Sequence, residues 1–250
     1  MEHLLPKNSP RVLLFDIETR YIIFRGWRTG KQYVDQSQIV LGEDSDIICI
    51  AYKWLGEPKV HSLTWDSKTQ SSSQMIEAFS KIVESADLCV GHNSDSFDMR
   101  HINTQRMLHD QDPIAWPTSE DTLKGLRKHF NLPSYRLDYI SKLLTGSGKK
   151  KMNFDDWIEV VERKSKKALV KMVRYCERDV VKLEQIYKRL SRYMKPKVHA
   201  GIAKYNDRDT CPRCSCPEFR KNGTVLRITG RVQRYQCLEC ATVFMGKRLP

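Results

Sequence analysis

The chain of 250 residues carries 43 Lys plus Arg against 30 Asp plus Glu, a formal charge of +13. That length suits one catalytic domain with a small appendage, and the surplus of cations suits a polyanionic partner such as nucleic acid. No apolar stretch reaches membrane-spanning length, and neither a secretory signal nor an internal repeat is evident, so membrane-embedded, secreted and solenoid architectures are not expected; an intracellular setting is, with nuclear, viral and phage-infected contexts open.

In chain order, a polar start holding Pro6 and Pro10 leads into Arg11-Val12-Leu13-Leu14-Phe15, an apolar run of strand length. Residues two apart on a strand share a face, so Asp16 and Glu18 point one way and Ile17 into the opposite layer. Two acids at a strand end can equally be a solvated edge. Residues 20–43 then form a long connection carrying Tyr21, Phe24, Arg25, Trp27, Arg28, Lys31 and Tyr33. Aromatics interleaved with bases suit single strands, whose bases stack while their phosphates pair; a two-strand flap whose aromatics pack onto the domain fits equally well. Asp46–Tyr52 and Val60–Trp65, joined around Gly56-Glu57-Pro58, predict a hairpin that makes a three-strand meander with the first strand.

Met75–Val83 has helical spacing, and Ala86–Gly91 reads as another buried strand. The following His92-Asn93-Ser94-Asp95 is rich in helix-capping types, which makes Asn93 and Asp95 caps in preference to metal ligands, with Asn93 also a candidate nucleic-acid contact. Asp98 falls in the first turn of the next helix, where a lone Asp would serve the helix dipole. Trp116-Pro117 marks the end of a further strand, and Asp121-Thr122 reads as an N-terminal cap rather than a substrate contact. Residues 119–194 are expected to be mainly helical. Gly146–Lys151 predicts a mobile basic loop and Arg163–Lys167 a second basic cluster; Lys149 and Lys150 could follow a phosphate backbone, although charge runs are commonly solvated faces. The Gly-x-Gly-Lys sequence there lacks the spacing of a phosphate-binding P-loop, so ATP is not implied. Ala168–Met194 reads as one long helix with Tyr175 and Asp179 four apart on one face.

Taken together, Asp16-Ile17-Glu18, Asp98 and Tyr175-Cys176-Glu177-Arg178-Asp179 point to phosphodiester chemistry. Cleavage there needs a nucleophile at neutral pH and neutralised phosphate charge, which two cations roughly 3.5–4 Å apart supply. Magnesium and manganese take oxygen ligands and keep several waters, so a few carboxylates suffice. Four acids brought together repel one another unless cations lie between them. These residues resemble the DEDD exonuclease superfamily, the DnaQ-like branch of the RNase H-like fold: its D-x-E motif matches Asp16 and Glu18, its second motif Asp98 and its third Asp179. With Arg174 where one branch has His, and Tyr175 in place, the chain resembles the tyrosine subtype over roughly residues 10–197. The resemblance implies 3′→5′ exonucleolysis of DNA or RNA to nucleoside monophosphates, two Mg²⁺ or Mn²⁺ held by the four acids, and Tyr175 orienting the attacking water. A phenol of pKa about 10 suits positioning better than full proton abstraction. Two rivals carry different expectations: a catalytically silent nucleic-acid or replisome adaptor, and an RNase H-like endonuclease.

Beyond Lys195-Pro196-Lys197, Cys211-Pro212-Arg213-Cys214 and Cys237-Leu238-Glu239-Cys240 are two C-x2-C knuckles separated by 22 residues. Zinc favours four tetrahedral ligands, and this spacing is a strong ribbon signal. A piece this small buries too little apolar surface to fold unaided, so one structural Zn²⁺ would supply its folding energy. Cys216 is an alternative ligand, while Cys49, Cys89 and Cys176 read as core thiols. The module resembles the ribbons of insertion-sequence InsA proteins and other transposase-associated ribbons, which implies contact with nucleic acid, Arg231 and Arg234 included, or docking to a replication or repair protein. Its 10 basic and 4 acidic residues after position 197 make it proportionally more basic than the rest. The expectation is therefore α/β, an RNase H-like mixed sheet flanked by helices plus a small C-terminal β zinc ribbon, with a nuclease domain at 1–197, a linker at 198–204 and the ribbon at 205–250.

Overall fold

The computed structural model describes residues 10–40, 46–146 and 152–248. A five-stranded mixed sheet forms its centre, in the order β3-β2-β1-β4-β5. The strands are β1 (Val12–Thr19), β2 (Ile47–Trp54), β3 (His61–Thr64), β4 (Leu88–Gly91) and β5 (Thr118–Asp121). The antiparallel half is the predicted meander, β1 to β2 to β3. The parallel half, β1 to β4 to β5, is reached through two helices, α1 (Ser73–Glu84) and α2 (Asp98–Leu108), because parallel neighbours require a crossover. β4 is buried throughout and β1 from Val12 to Phe15 and at Ile17, as strands covered on both faces must be.

Alternation along β1 separates two layers. Phe15 faces α1, its ring centroid 5.5 Å from that of Phe79, and stacks on Trp116 at 6.1 Å. Tyr52, its partner across the β1–β2 pair, adds a second contact to Phe79. The even-numbered residues face α6 (Lys166–Leu190), the long helix predicted from residue 168. That helix starts two residues earlier than the apolar pattern suggests, because Ser165 caps it through Ala168 N, and it stops at Leu190 rather than Met194. Residues 119–194 also contribute α3 (Thr122–His129), α4 (Leu137–Thr145) and α5 (Phe154–Val161). The strand expected to end at Trp116-Pro117 instead begins just after it, at Thr118; proline has no N–H for the ladder and stands ahead of the strand, not within it.

The connection 20–40 holds one isolated bridge, Phe24 to Ile39, and a 3₁₀ turn at Gln36–Gln38. Tyr21 is drawn back to the body by Phe154, 5.0 Å between centroids, and by its hydroxyl donating to Glu162. Trp27 and Tyr33 are fully exposed, so these two aromatics do not pack as the flap reading required.

A second sheet, β6-β7-β8, is built from β6 (Phe219–Arg227), β7 (Gly230–Cys237) and β8 (Val243–Arg248). Its aromatic centre is small: Phe219, Tyr235 and Phe244 lie 4.9–5.9 Å apart by ring centroid. The stretch 198–204, expected as a linker, is mostly the short helix α7 (Ala200–Tyr205), begun by the His199 side chain accepting from Ile202 N. No helix among the described residues is long and apolar enough to cross a membrane.

Candidate functional site

Asp16 and Glu18 lie within the C-terminal end of β1, and their carboxylates share the face that meets α6. The register of β1 against β2 shifts between Glu18 and Thr19, an irregularity of the kind that re-aims side chains beside active sites. One ligand atom each from Asp16, Glu18 and Cys176 lies within 4.8 Å of the others. Cys176 therefore does more than fill the core: its thiol approaches the Asp16 carbonyl at 3.3 Å and Asp16 Oδ2 at 3.9 Å. Burial first, then Cys49 and the Asp16 and Glu18 carboxylates, hold that thiol well above its ordinary pKa, so it is a protonated donor rather than a thiolate. A neutral sulfur is a poor ligand for hard cations, whereas the two carboxylates beside it are good ones.

Asp98 opens α2 and reaches the same strand, accepting from Ile17 N at 3.2 Å. It is 3% exposed. Burial pushes its pKa up to about 7, with the negative charge of Asp121 adding to the rise and hydrogen bonds from Ile17 N and its own N–H opposing it. A carboxyl this reluctant to ionise among other acids is what a cation would relieve.

The turn ahead of Asp98 is held differently from expectation. Neither Asn93 nor Asp95 caps α2, whose N-cap is Phe97 with no side-chain bond. Instead Asn93 takes a left-handed φ of 69°, and its N–H and that of Asp95 donate to the two oxygens of Asp121, at 3.0 and 3.3 Å. Asp121 also caps α3 through Leu123 N and Lys124 N, so the cap reading stands and extends to a second task. Asp95 is occupied by Ser119 and by Lys124, the latter at 2.8 Å. Propensity alone could not reveal Asp121 as the organiser, because the groups it holds lie 26 and 28 residues away in sequence.

From α6, Tyr175 and Asp179 flank Cys176 by one residue and by three, and Asp179 is buried. Helix geometry puts Cys176 and Asp179 on neighbouring turns of the packed side. The structure thus gathers all three acidic stretches at one end of β1, while the tight cluster within 4.8 Å consists of Asp16, Glu18 and Cys176 and does not include Asp98 or Asp179. Glu177 points elsewhere, accepting from Ser62 Oγ on β3 at 2.8 Å.

In the second sheet the thiols of Cys211, Cys214, Cys237 and Cys240 all lie within 4.8 Å of one another, with Cys211 to Cys240 and Cys214 to Cys237 each 3.6 Å apart. Four sulfurs about 2.3 Å from a tetrahedral zinc would be about 3.8 Å apart, so the cluster fits one Zn²⁺. Cys216 stays outside it, its sulfur accepting from Glu218 N at 3.3 Å. Arg213, between the first two cysteines, reaches the body built on the five-stranded sheet: Nη1 lies 3.4 Å from Glu120 Oε2 and 3.1 Å from Tyr187 Oη, and Nη2 donates to Met194 O at 3.0 Å. Glu120 is completely buried. This contact carries no sequence signal, because an Arg in a cysteine knuckle is ordinarily read as a surface cation.

Among the nucleic-acid candidates, Trp27 and Arg28 are exposed, Asn93 is half-buried, and on β7 Arg231 is exposed and Arg234 half-buried. Lys149 and Lys150 lie outside the described residues.

Residues 40–191 match the family model described as the RNase_H superfamily. The match spans Asp98, Tyr175 and Asp179, and Asp16 and Glu18 precede it. No curated protein matches the chain. A mixed sheet flanked by helices, with β1 at its centre and the Asp16 and Glu18 carboxylates together at its end, is consistent with that match, and the chain belongs to the RNase_H superfamily, a fold of nucleases.

Proposed function

We propose that the chain is a metal-dependent 3′→5′ exonuclease of the tyrosine DEDD subtype, acting on single-stranded ends, DNA in preference to RNA. The carrying observation is the meeting of three distant acidic stretches at the end of β1: Asp16 and Glu18 on the strand, Asp98 bonded to Ile17 N between them, and α6 packed against both through Cys176. Two Mg²⁺ or Mn²⁺ ions held by Asp16, Glu18, Asp98 and Asp179 would supply an activated water and charge neutralisation at the departing 3′ oxygen. Tyr175 orients the attacking water by hydrogen bonding. Asp121 keeps the turn 92–97 in place so that Asp98 meets the strand, and Cys176 supports Asp16 from behind. Exposed Trp27 and Tyr33, with Arg28 beside them, offer stacking surfaces to unpaired bases.

The division into a nuclease body (1–197), a connection (198–204) and a zinc ribbon (205–250) belongs to the same proposal, with Cys211, Cys214, Cys237 and Cys240 as zinc ligands. The ribbon, similar to transposase-associated modules, adds a basic foothold for nucleic acid through Arg231 and Arg234, or a dock for a replication or repair protein. Pure protein incubated with 5′-labelled single- and double-stranded DNA and RNA in Mg²⁺ or Mn²⁺ should shorten substrates from the 3′ end. Asp16→Ala should abolish this, and Tyr175→Phe should cost less than loss of an acid. No shortening that depends on Asp16 refutes the proposal and favours a silent adaptor; internal cuts in a circular substrate favour an endonuclease.

A further inference from the structure

The exposed face of α6 carries a row of cations that the proposed chemistry leaves unused. Lys167, Lys171, Arg174 and Arg178 recur at intervals of four, three and four residues, which at 3.6 residues per turn confines them to an arc of roughly 60°. All four are exposed. Arg174 and Arg178 each stand one residue before Tyr175 and Asp179, so the cationic row runs parallel to the catalytic row, about 100° around the helix. The row spans roughly 16 Å of helix axis at 1.5 Å per residue, enough for several phosphates of one strand.

The row borders a groove of about 970 Å³ lined by Met152, Asp156 and these four side chains, among others. Its acids are already matched: Asp156 with Lys171 at 2.6 Å, and Glu159 with Arg163. Lys167, Arg174 and Arg178 have no carboxylate partner among the described residues. Acids at i±4 offset other surface cations, as Glu184 does Lys188 and Glu77 does Lys81; Lys167, Arg174 and Arg178 have no such acid on α6.

We infer that this groove binds the sugar-phosphate backbone of a single nucleic-acid strand, with Lys167, Arg174 and Arg178 contacting successive phosphates and delivering the strand end to Asp179 and Tyr175. The choice of ligand rests on the nuclease reading above. The test is binding without cleavage: fluorescence anisotropy of a labelled single-stranded oligonucleotide on full-length Asp16→Ala protein over 50–300 mM salt, about the range in which phosphate contacts are resolved. Arg174→Gln/Arg178→Gln should weaken binding by about 10-fold or more and flatten the slope of log K against log salt by about 1.4, two single-strand contacts at about 0.7 each. Arg174→Lys/Arg178→Lys should restore the slope. Lys59→Gln/Lys128→Gln, which removes equal charge elsewhere, should change the slope by less than half as much. Unchanged affinity, or an equal effect from the control pair, overturns the inference; unchanged oligonucleotide binding with lost binding to polyglutamate would give the groove to an acidic polypeptide. If the protein binds strands through these arginines yet cleaves none, the exonuclease proposal falls and the groove assignment stands.

Discussion

Replacing Arg213 with methionine removes the guanidinium that faces Glu120, a carboxylate with no exposed surface. Tyr187, itself 3% exposed, donates to Glu120 Oε2 at 2.6 Å, and its phenol is held above its ordinary pKa by burial and then by the Glu120 charge. One neutral donor does not balance a buried charge. Deleting one member of a buried ion pair commonly costs 3–5 kcal/mol. Here both nitrogen–oxygen separations are 3.4 Å, at the long end, and Arg213 Nε is buried without a partner. We therefore place Arg213→Met near the lower bound, about 3 kcal/mol, a fall in Tm of about 6–12 °C for a chain of this size. Circular dichroism of thermal and urea unfolding would read both quantities. The same substitution in a Glu120→Gln background should cost much less, since no charge is then stranded. A loss below about 1 kcal/mol, or an equal loss in both backgrounds, would refute the reasoning.

Gly91 closes β4, and a methyl there would stand 2.3 Å from Ser94 Cβ; Gly91→Ala should displace the turn that presents Asp98 and lower exonuclease rate about 100-fold, whereas activity within twofold would show that the turn gives way harmlessly. Metal analysis of purified protein should find one zinc per chain, retained in Cys216→Ser and lost in Cys237→Ser; loss of zinc from Cys216→Ser would move the ligand set. Trp27→Ala/Tyr33→Ala should raise the KM for single-stranded substrate by about 10-fold or more, at about 1–3 kcal/mol per stacked base, and leave the melting temperature unchanged; a fall in Tm with unchanged KM would restore the packed-flap reading. Glu184 is opposed by burial, yet Lys188, Gly56 N and Lys53 together lower its pKa. Its ionised form therefore stabilises the fold above the unfolded pKa of about 4.3, and this is lost as pH falls through the lower folded value. The stability gap between wild type and Glu184→Gln should shrink from pH 5 to pH 3, and a constant gap would show that the carboxylate charge contributes nothing.

What could be read from the chain is what is encoded locally. Alternation and apolar runs located β1 to β4, and helical spacing located α1, α2 and α6, because side-chain period follows directly from backbone geometry. The two C-x2-C knuckles selected the same four cysteines that the fold clusters, and the D-x-E spacing put Asp16 and Glu18 on one face. Boundaries were less legible where a cap or a proline outweighs the apolar pattern, as at Ser165 and Pro117.

Tertiary structure decided which groups face one another. Cys176 looked like core filling until β1 and α6 were packed, when its thiol came to rest against Asp16. Asp121 read as the cap of its own helix, and only the β4–β5 pairing showed that it also holds Asn93 and Asp95. Arg213 read as one cation in a basic ribbon, and only the docked ribbon revealed its contact with Glu120. By itself the sequence determined the elements and the ligand types, each set by neighbours a few residues apart. The base of the site, the brace of its second motif and the tie between ribbon and body depend on contacts separated by 26 to 160 residues, and only the folded chain brings those together.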